Sequence, residues 1–305
     1  MNVFGPVSSR RLGRSLGIDL LPHKTCTFDC VYCECGPTTV KTLERKIFVQ
    51  PDIIISELEE FLKTHPAPDA ITFSGSGEPT LYGAIGKLAQ AVKKMTSTNL
   101  VMITNSSLIN VPEVANDLMG CDIVMPSLDA ACLKTFNDIN RPHPLLSLQD
   151  IIKGLSDFSH SFKGKIWLEI LFCAGVNDSE AEIRDFQRIL RTIRYDQLHI
   201  NSVDRPPAYA GVKAPSAARL EEIARTLGGT IVCRSASTAP EVKTQMIPRA
   251  DKILRILKRR PETLEGLRQA LNAPTVQLVK LLDELVQSGQ IRTEVQGEHV
   301  FYRMV

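Results

Sequence analysis

Between residues 15 and 202, short apolar and β-branched runs alternate with longer stretches whose apolar positions recur every three to four residues. The runs are SLGIDLL (15–21), AITFS (70–74), LVMIT (100–104), DIVMPS (122–127), KIWLEILF (165–172) and QLHINS (197–202). Their length and composition predict strands. The stretches between them, at 51–65, 82–95, 111–119, 145–158 and 179–193, have the spacing of amphipathic helices. Six strands separated by five helices predict a parallel α/β domain with right-handed crossovers. Six units are too few to close an eight-stranded barrel, which leaves an open, partial (β/α)6 parallel barrel or a doubly wound sheet.

The pattern changes near Pro248. Residues 249–259 predict an amphipathic helix, 263–271 a second with Thr263 as its N-cap, and 274–289 a third that starts at Pro274 and stops at Gly289. QIRTEV, QGE and HVFYRMV then read as a two-stranded hairpin. Three helices and a two-stranded wing predict a C-terminal winged-helix domain. The expected organisation is therefore an α/β domain at 1–235, a linker at 236–247 and a winged helix at 248–305. Residues 218–229 and TIVCRS (230–235) read as one last helix and strand or as part of the linker.

Composition narrows the class. A 305-residue chain that is 43% hydrophobic and 23% charged can bury a substantial core, which excludes disordered and fibrous classes. No apolar run approaches the roughly 18 residues of a spanning helix, and the N-terminus lacks the pattern of a secretory signal; the expectation is a cytoplasmic protein with no membrane partner. A net charge of +2 argues neither for nor against a nucleic-acid partner. Of the eight cysteines, Cys121, Cys132, Cys173 and Cys233 stand alone and read as core residues.

Ligands of parallel α/β folds bind beyond the carboxyl ends of the strands, so the loops there are the candidates for chemistry. The first of them contains CTFDCVYCEC (26–35), four thiols spaced C-x3-C-x2-C-x-C. A structural zinc would draw four ligands, normally as two separated pairs, and no second pair exists; Cys35 as the fourth ligand would be cramped beside Cys33. A redox pair at Cys30 and Cys33 would leave Cys26 idle. An iron–sulfur cluster fits better, with three protein ligands leaving one iron open to an exogenous molecule.

The C-x3-C-x2-C spacing with Tyr32 before its last cysteine, on the loop after the first strand, resembles the radical S-adenosylmethionine (SAM) superfamily. Ser76-Gly77-Glu78-Pro79 after the second strand resembles that family's GGEP loop, with Ser in place of the first Gly. ITNSS (103–107) resembles its TNG segment and PSLDA (126–130) its SLD segment. GPVSSRRLG (5–13), VDRPP (203–207) and the C-terminal winged helix further resemble small proteins grouped with the wyosine-type tRNA-modifying radical SAM enzymes. The resemblance implies that Cys26, Cys30 and Cys33 hold a [4Fe–4S] cluster whose free iron chelates SAM, and that a reductant such as flavodoxin or ferredoxin supplies the electron for its cleavage. It further implies that Gly75 and Gly77 let backbone approach the methionine end, with Ser76 and Pro79 in the same loop, and that Glu78 accepts from the SAM ammonium. Asn105, Ser127 and Asp129 would meet ribose, adenine or carboxylate. Tyr32 would stack near the adenine or shield the cluster, and Cys35 would be a spare thiol, a substrate-side acid or a hydrogen-atom donor.

Arg10, Arg11 and Arg14 before the first strand, Arg141 after the fourth and Arg205 after the sixth carry guanidinium forks suited to phosphate or carboxylate. Either they line an entrance for RNA or an acidic molecule, or they form ion pairs. His143 and His199 read as structural. The third C-terminal helix mixes Gln277 and Lys280 with Asp283 and Glu284, a less basic face than major-groove readers present. Substrate docking on the winged helix is therefore the expectation, of RNA first and of a peptide or protein second. The rival reading is an iron–sulfur or zinc redox sensor that binds DNA without turnover.

Overall fold

The computed structural model describes residues 2–232, 248–271 and 273–305. The chain begins with β1 (Val3–Ser9) and β2 (Gly13–Ile18), an antiparallel hairpin. Two short strands, β3 (Thr25–Cys26) and β4 (Val40–Lys41), pair in parallel and close the base of the cysteine loop. There follow α1 (Pro51–Thr64), β5 (Ala70–Phe73), α2 (Ile85–Met95), β6 (Asn99–Thr104), α3 (Pro112–Leu118), β7 (Ile123–Pro126), α4 (Leu133–Ile139), α5 (Leu148–Ser161), β8 (Lys165–Phe172), α6 (Glu180–Leu190), β9 (Gln197–Ser202), α7 (Ala217–Leu227) and β10 (Thr230–Ile231). The main sheet runs β1-β2-β5-β6-β7-β8-β9-β10, and every pairing after the first hairpin is parallel.

Local chemistry explains the element boundaries. Ser147, Ser179 and Ser216 cap α5, α6 and α7 by accepting from the backbone N–H three residues on, which satisfies an otherwise orphan donor. Gly228 ends α7 in the left-handed region at φ 72°, where a side chain would be strained. Along β8 the even-numbered residues are buried and Trp167, Glu169 and Leu171 only half-buried. One face therefore packs on helices and the other lines a cleft. The helical side forms the large core, including Leu16, Ile18, Phe73, Met102, Val124, Leu168 and Phe172. The inner side carries a smaller apolar set, Leu12, Ala70, Val101, Ile123 and Met125, with Ile103 and Trp167 against it.

All six expected strands exist, and β8 and β9 have the expected limits. The structure adds β1, so Arg10 and Arg11 lie at a hairpin turn and not in a leader before the first strand. The described part of the ambiguous segment, up to residue 232, forms α7 and β10, and residues 233–235 lie outside the described residues. The 236–247 linker and Cys233 lie outside the described residues.

The C-terminal unit is α8 (Ala250–Leu257), β11 (Glu262–Thr263), α9 (Leu264–Leu271), α10 (Thr275–Gln287), β12 (Ile291–Gln296) and β13 (His299–Met304). Its sheet has three strands in the order β11-β13-β12, not the expected two, because the short segment after α8 pairs antiparallel with β13. Ile253, Leu257, Leu267, Leu278, Leu282, Leu285 and Ile291 form a core of its own.

Candidate active site

The cysteine loop is irregular backbone held from several sides. Asp29 N–H donates to the Asn140 carbonyl at 3.0 Å, and Val31 N–H to that of Ile139 at 2.9 Å, so the end of α4 supports the loop. Tyr209, after β9, donates its hydroxyl to Asp29 at 2.6 Å. Turns from Cys30 to Cys33 and from Cys33 to Gly36 keep the thiols on one tight segment, and none of the four is in a disulfide.

Each of the three expected ligand sulfurs meets a nitrogen donor. Asn105 Nδ2 lies 3.6 Å from Cys26 Sγ, Asn140 Nδ2 3.5 Å from Cys30 Sγ and Lys24 Nζ 3.1 Å from Cys33 Sγ. Such donors stabilise sulfur-borne charge and tune iron–sulfur centres. Burial pushes the Cys26 thiol up to about 12 and that of Cys30 well above its ordinary range, so a positive centre is what would keep both as thiolates. Cys33 is drawn down to about 6, first by the thiol of Cys35 and then by Lys24. Among the described residues, no three or more His, Cys, Asp or Glu side chains gather tightly enough for a single ion. The donor set fits the cluster.

The loop after β5 lies directly beside these cysteines. A Cβ on Gly77 would stand 1.9 Å from the Thr25 carbonyl oxygen, and one on Gly75 2.1 Å from Asp19 Oδ1; only glycine permits that approach. Ser76 donates its hydroxyl to Asp19 at 3.3 Å. Pro79 opens a short 3-10 turn.

Glu78 also has a structural part. Its buried carboxylate accepts from Thr80 N–H at 3.0 Å, Thr80 Oγ1 at 2.6 Å, Thr104 Oγ1 at 2.7 Å and Asn105 N–H at 2.7 Å. Three of these donors reach Oε1 and only Asn105 N–H reaches Oε2, so Glu78 ties the β5 loop to the end of β6 while Oε2 keeps acceptor capacity. Asp129 and Tyr32 pair with each other. The Tyr32 hydroxyl donates to Asp129 Oδ2, which also accepts from Asn140 Nδ2 at 3.1 Å, while Oδ1 accepts from Leu171 N–H at 3.0 Å. The pair thus supports the cysteine loop from below. Asn105 reaches Cys26 and donates to Thr27 Oγ1 at 2.8 Å. Ser127 contributes its carbonyl to Ser106 and stands in a parallel bridge with Glu169.

The arginines are engaged. Arg10 pairs with Asp204 and donates to the Val232 carbonyl at 2.8 Å, and Arg11 pairs with Glu169. Arg205 bridges Glu34 at 2.7 Å and Glu262 at 3.0 Å. Arg141 lies 4.1 Å over the Tyr209 ring. Arg10, Arg11 and Arg205 thus take the ion-pair alternative of the two. The sequence reading also passed over Lys24, Asn140, Thr27, Tyr209 and Glu34; position two residues before Cys26 was the available signal for Lys24.

His199 is buried on the inner face, with Nε2 2.9 Å from Gln197 Oε1 and Nδ1 without a hydrogen-bond partner. Burial, then Arg11, lowers its pKa to about 4. The unfolded chain protonates this imidazole below about 6.5 while the fold keeps it neutral, so acid favours unfolding between those values. His199→Gln protein is expected to lose about 2 kcal/mol less stability than wild type between pH 6.5 and 4. Urea unfolding across that range checks it; parallel curves for both proteins would refute it.

Residues 20–186 match the radical SAM superfamily, and the chain belongs to it. It is also 31% identical to a UPF0026 protein of Methanocaldococcus jannaschii over 98% of this chain and 94% of that one, and 32% identical to one of Helicobacter pylori strain J99 over 98% and 96%. A Brachyspira hyodysenteriae protein named GTPase Obg is 36% identical over 96% of this chain, which spans only 44% of that protein. Among solved structures, a radical SAM methyltransferase from Sphaerobacter thermophilus aligns with a TM-score of 0.55 at 16% identity, covering 71% of this chain and 65% of that one. Native anSMEcpe with bound AdoMet aligns with a TM-score of 0.52 at 16% identity, over 70% and 59%. Both likenesses are of fold, and they fit the open parallel sheet with a partial radical SAM barrel. The cofactors of the superfamily, and of this chain, are a [4Fe–4S] cluster and SAM. Among the described residues, no helix is long and apolar enough to cross a membrane.

Proposed function

We propose that this chain is a radical SAM enzyme that modifies a macromolecule docked on a C-terminal winged helix, with RNA as the substrate class. Cys26, Cys30 and Cys33 hold the cluster, and the observation that carries this assignment is one nitrogen donor at each of their sulfurs. When bound, the cluster supplies the electron that splits SAM into methionine and a 5′-deoxyadenosyl radical, which takes a hydrogen atom from the substrate. A low-potential protein such as flavodoxin or ferredoxin is the reductant.

The chain's own residues bind, orient and keep water out. Gly75 and Gly77 allow the loop after β5 to lie against Asp19 and Thr25, and Glu78 fixes that loop to β6. Phe28 and Val31, both buried, dry the cysteine loop from behind. Asn105, fixed through its amide to Thr27, and Ser127 at the end of β7 offer polar groups at the same sheet edge.

RNA is favoured by the resemblance of residues 5–13, 203–207 and the C-terminal unit to wyosine-type tRNA-modifying enzymes, and the order of helices and strands in that unit supports the winged-helix reading. Comparing modified-nucleoside profiles of total tRNA and rRNA from cells with and without the gene is expected to reveal one nucleoside missing or unmatured in the deletion. Identical profiles, with a tryptic peptide mass altered instead, would overturn RNA in favour of a protein substrate.

A further inference from the structure

The loop between α8 and β11 carries Arg259 and Arg260, and both leave the C-terminal unit to reach the two loops that form the candidate site. Arg260 Nη1 lies 3.1 Å from Oε1 of Glu34, the residue between Cys33 and Cys35. The other carboxylate oxygen of Glu34 takes Arg205 at 2.7 Å. Glu262 closes the ring, 3.0 Å from Arg205 and 3.6 Å from Arg260. Side chains are 6% exposed at Glu262 and 12% at Arg205 but 28% at Arg260 and 35% at Glu34, so the ring is buried on its Glu262–Arg205 side, where loss of a partner strands the remaining charge. Arg259 Nε lies 3.7 Å from Asp19 Oδ2, the oxygen that accepts from Ser76, and its guanidinium sits 4.1 Å over the Phe4 ring. The Asp19 carboxylate faces Gly75. The contact is continuous with the packing of α9 on β1.

Resting on the reading above, we propose that Arg260 and Arg259 are positioning residues for the active site: Arg260 holds the cysteine loop through Glu34, and Arg259 holds the SAM loop through Asp19. Neither touches the reacting atoms. The C-terminal unit is thereby a wall of the site as well as a docking module, and substrate engaged on it bears on both loops at once. A linear reading of the chain separates these residues by more than two hundred positions, and the ion pairs bring them together.

The test uses full-length protein reconstituted without oxygen, in wild-type, Arg260→Ala, Arg259→Ala and Lys258→Ala forms, the last removing an exposed charge from the same segment. Two quantities are read: the rate of iron loss to a chelator, and SAM affinity by calorimetry. Arg260→Ala is expected to lose iron about fivefold faster than wild type. Arg259→Ala is expected to retain iron normally and to bind SAM at least about threefold more weakly. Lys258→Ala should match wild type in both. If Arg260→Ala does not fold, Arg260→Lys, which keeps the charge but cannot fork between Glu34 and Glu262, takes its place with the same expectation. Arginine variants indistinguishable from Lys258→Ala would overturn the proposal. Wild-type protein that takes up no iron or binds no SAM would instead overturn the reading on which it rests.

Discussion

Cys30→Ala protein, purified and reconstituted without oxygen, is expected to lose the brown chromophore and nearly all its iron, and to form 5′-deoxyadenosine only at background. Cys30 is the middle ligand of the proposed trio, and its sulfur faces Asn140 Nδ2 while the neighbouring Tyr32 and Asp129 brace the same loop. Removing it leaves two thiols, too few to retain a cubane that already has one iron without a protein ligand. Cys35→Ala is the informative contrast. Cys35 adjoins Cys33 but stands outside the C-x3-C-x2-C spacing, so this variant keeps its chromophore and full iron content. Absorption spectra and iron analysis of the two variants check the assignment; full iron in Cys30→Ala, or loss of iron in Cys35→Ala, would refute it.

Glu78→Ala is expected to destabilise the fold by about 3 kcal/mol or more, an effect larger than most single changes near a ligand produce. The buried carboxylate accepts four hydrogen bonds, and its removal leaves the donors of Thr80, Thr104 and Asn105 without partners. Glu78→Gln keeps the shape but turns an amide donor toward other donors, and falls between alanine and wild type. Because Glu78 ties the SAM loop to β6, SAM affinity falls with it. Urea denaturation measures the first effect and calorimetry the second. A Glu78→Ala protein as stable as wild type, weakened only in SAM binding, would mean that Glu78 is a direct ligand and not a brace.

These two predictions mark where the sequence was legible. Strands β8 and β9 were readable to the residue because each run is bounded by turn-forming or charged residues, Gly164 and Gly175 for one and Asp196 and Asp204 for the other. The thiol trio was readable because its spacing is local, and local spacing survives folding. β1 was missed because VFGPVSS is interrupted by glycine and proline, which read as a turn, although the edge of a sheet tolerates both. β11 was missed because two residues show no period. The hydrogen-bond partners of Glu78, Asp129 and Tyr32 were hidden for another reason. Position at a strand end predicts that a side chain reaches the site edge, but not which lone pairs remain free once neighbouring strands supply donors. The arginines' partners were hidden by distance: Glu34 and Glu262, the partners of Arg205, lie 171 and 57 positions away, and no local pattern joins them.

The central claim is that Cys26, Cys30 and Cys33 hold a cluster with one iron open to SAM. Electron paramagnetic resonance of the reduced, anaerobically reconstituted wild-type protein, recorded before and after addition of SAM, tests it most directly. The account predicts a [4Fe–4S] signal whose g-values shift when SAM is added, as binding at an iron requires. A silent protein carrying zinc, or a cluster signal that SAM leaves unchanged, would contradict it.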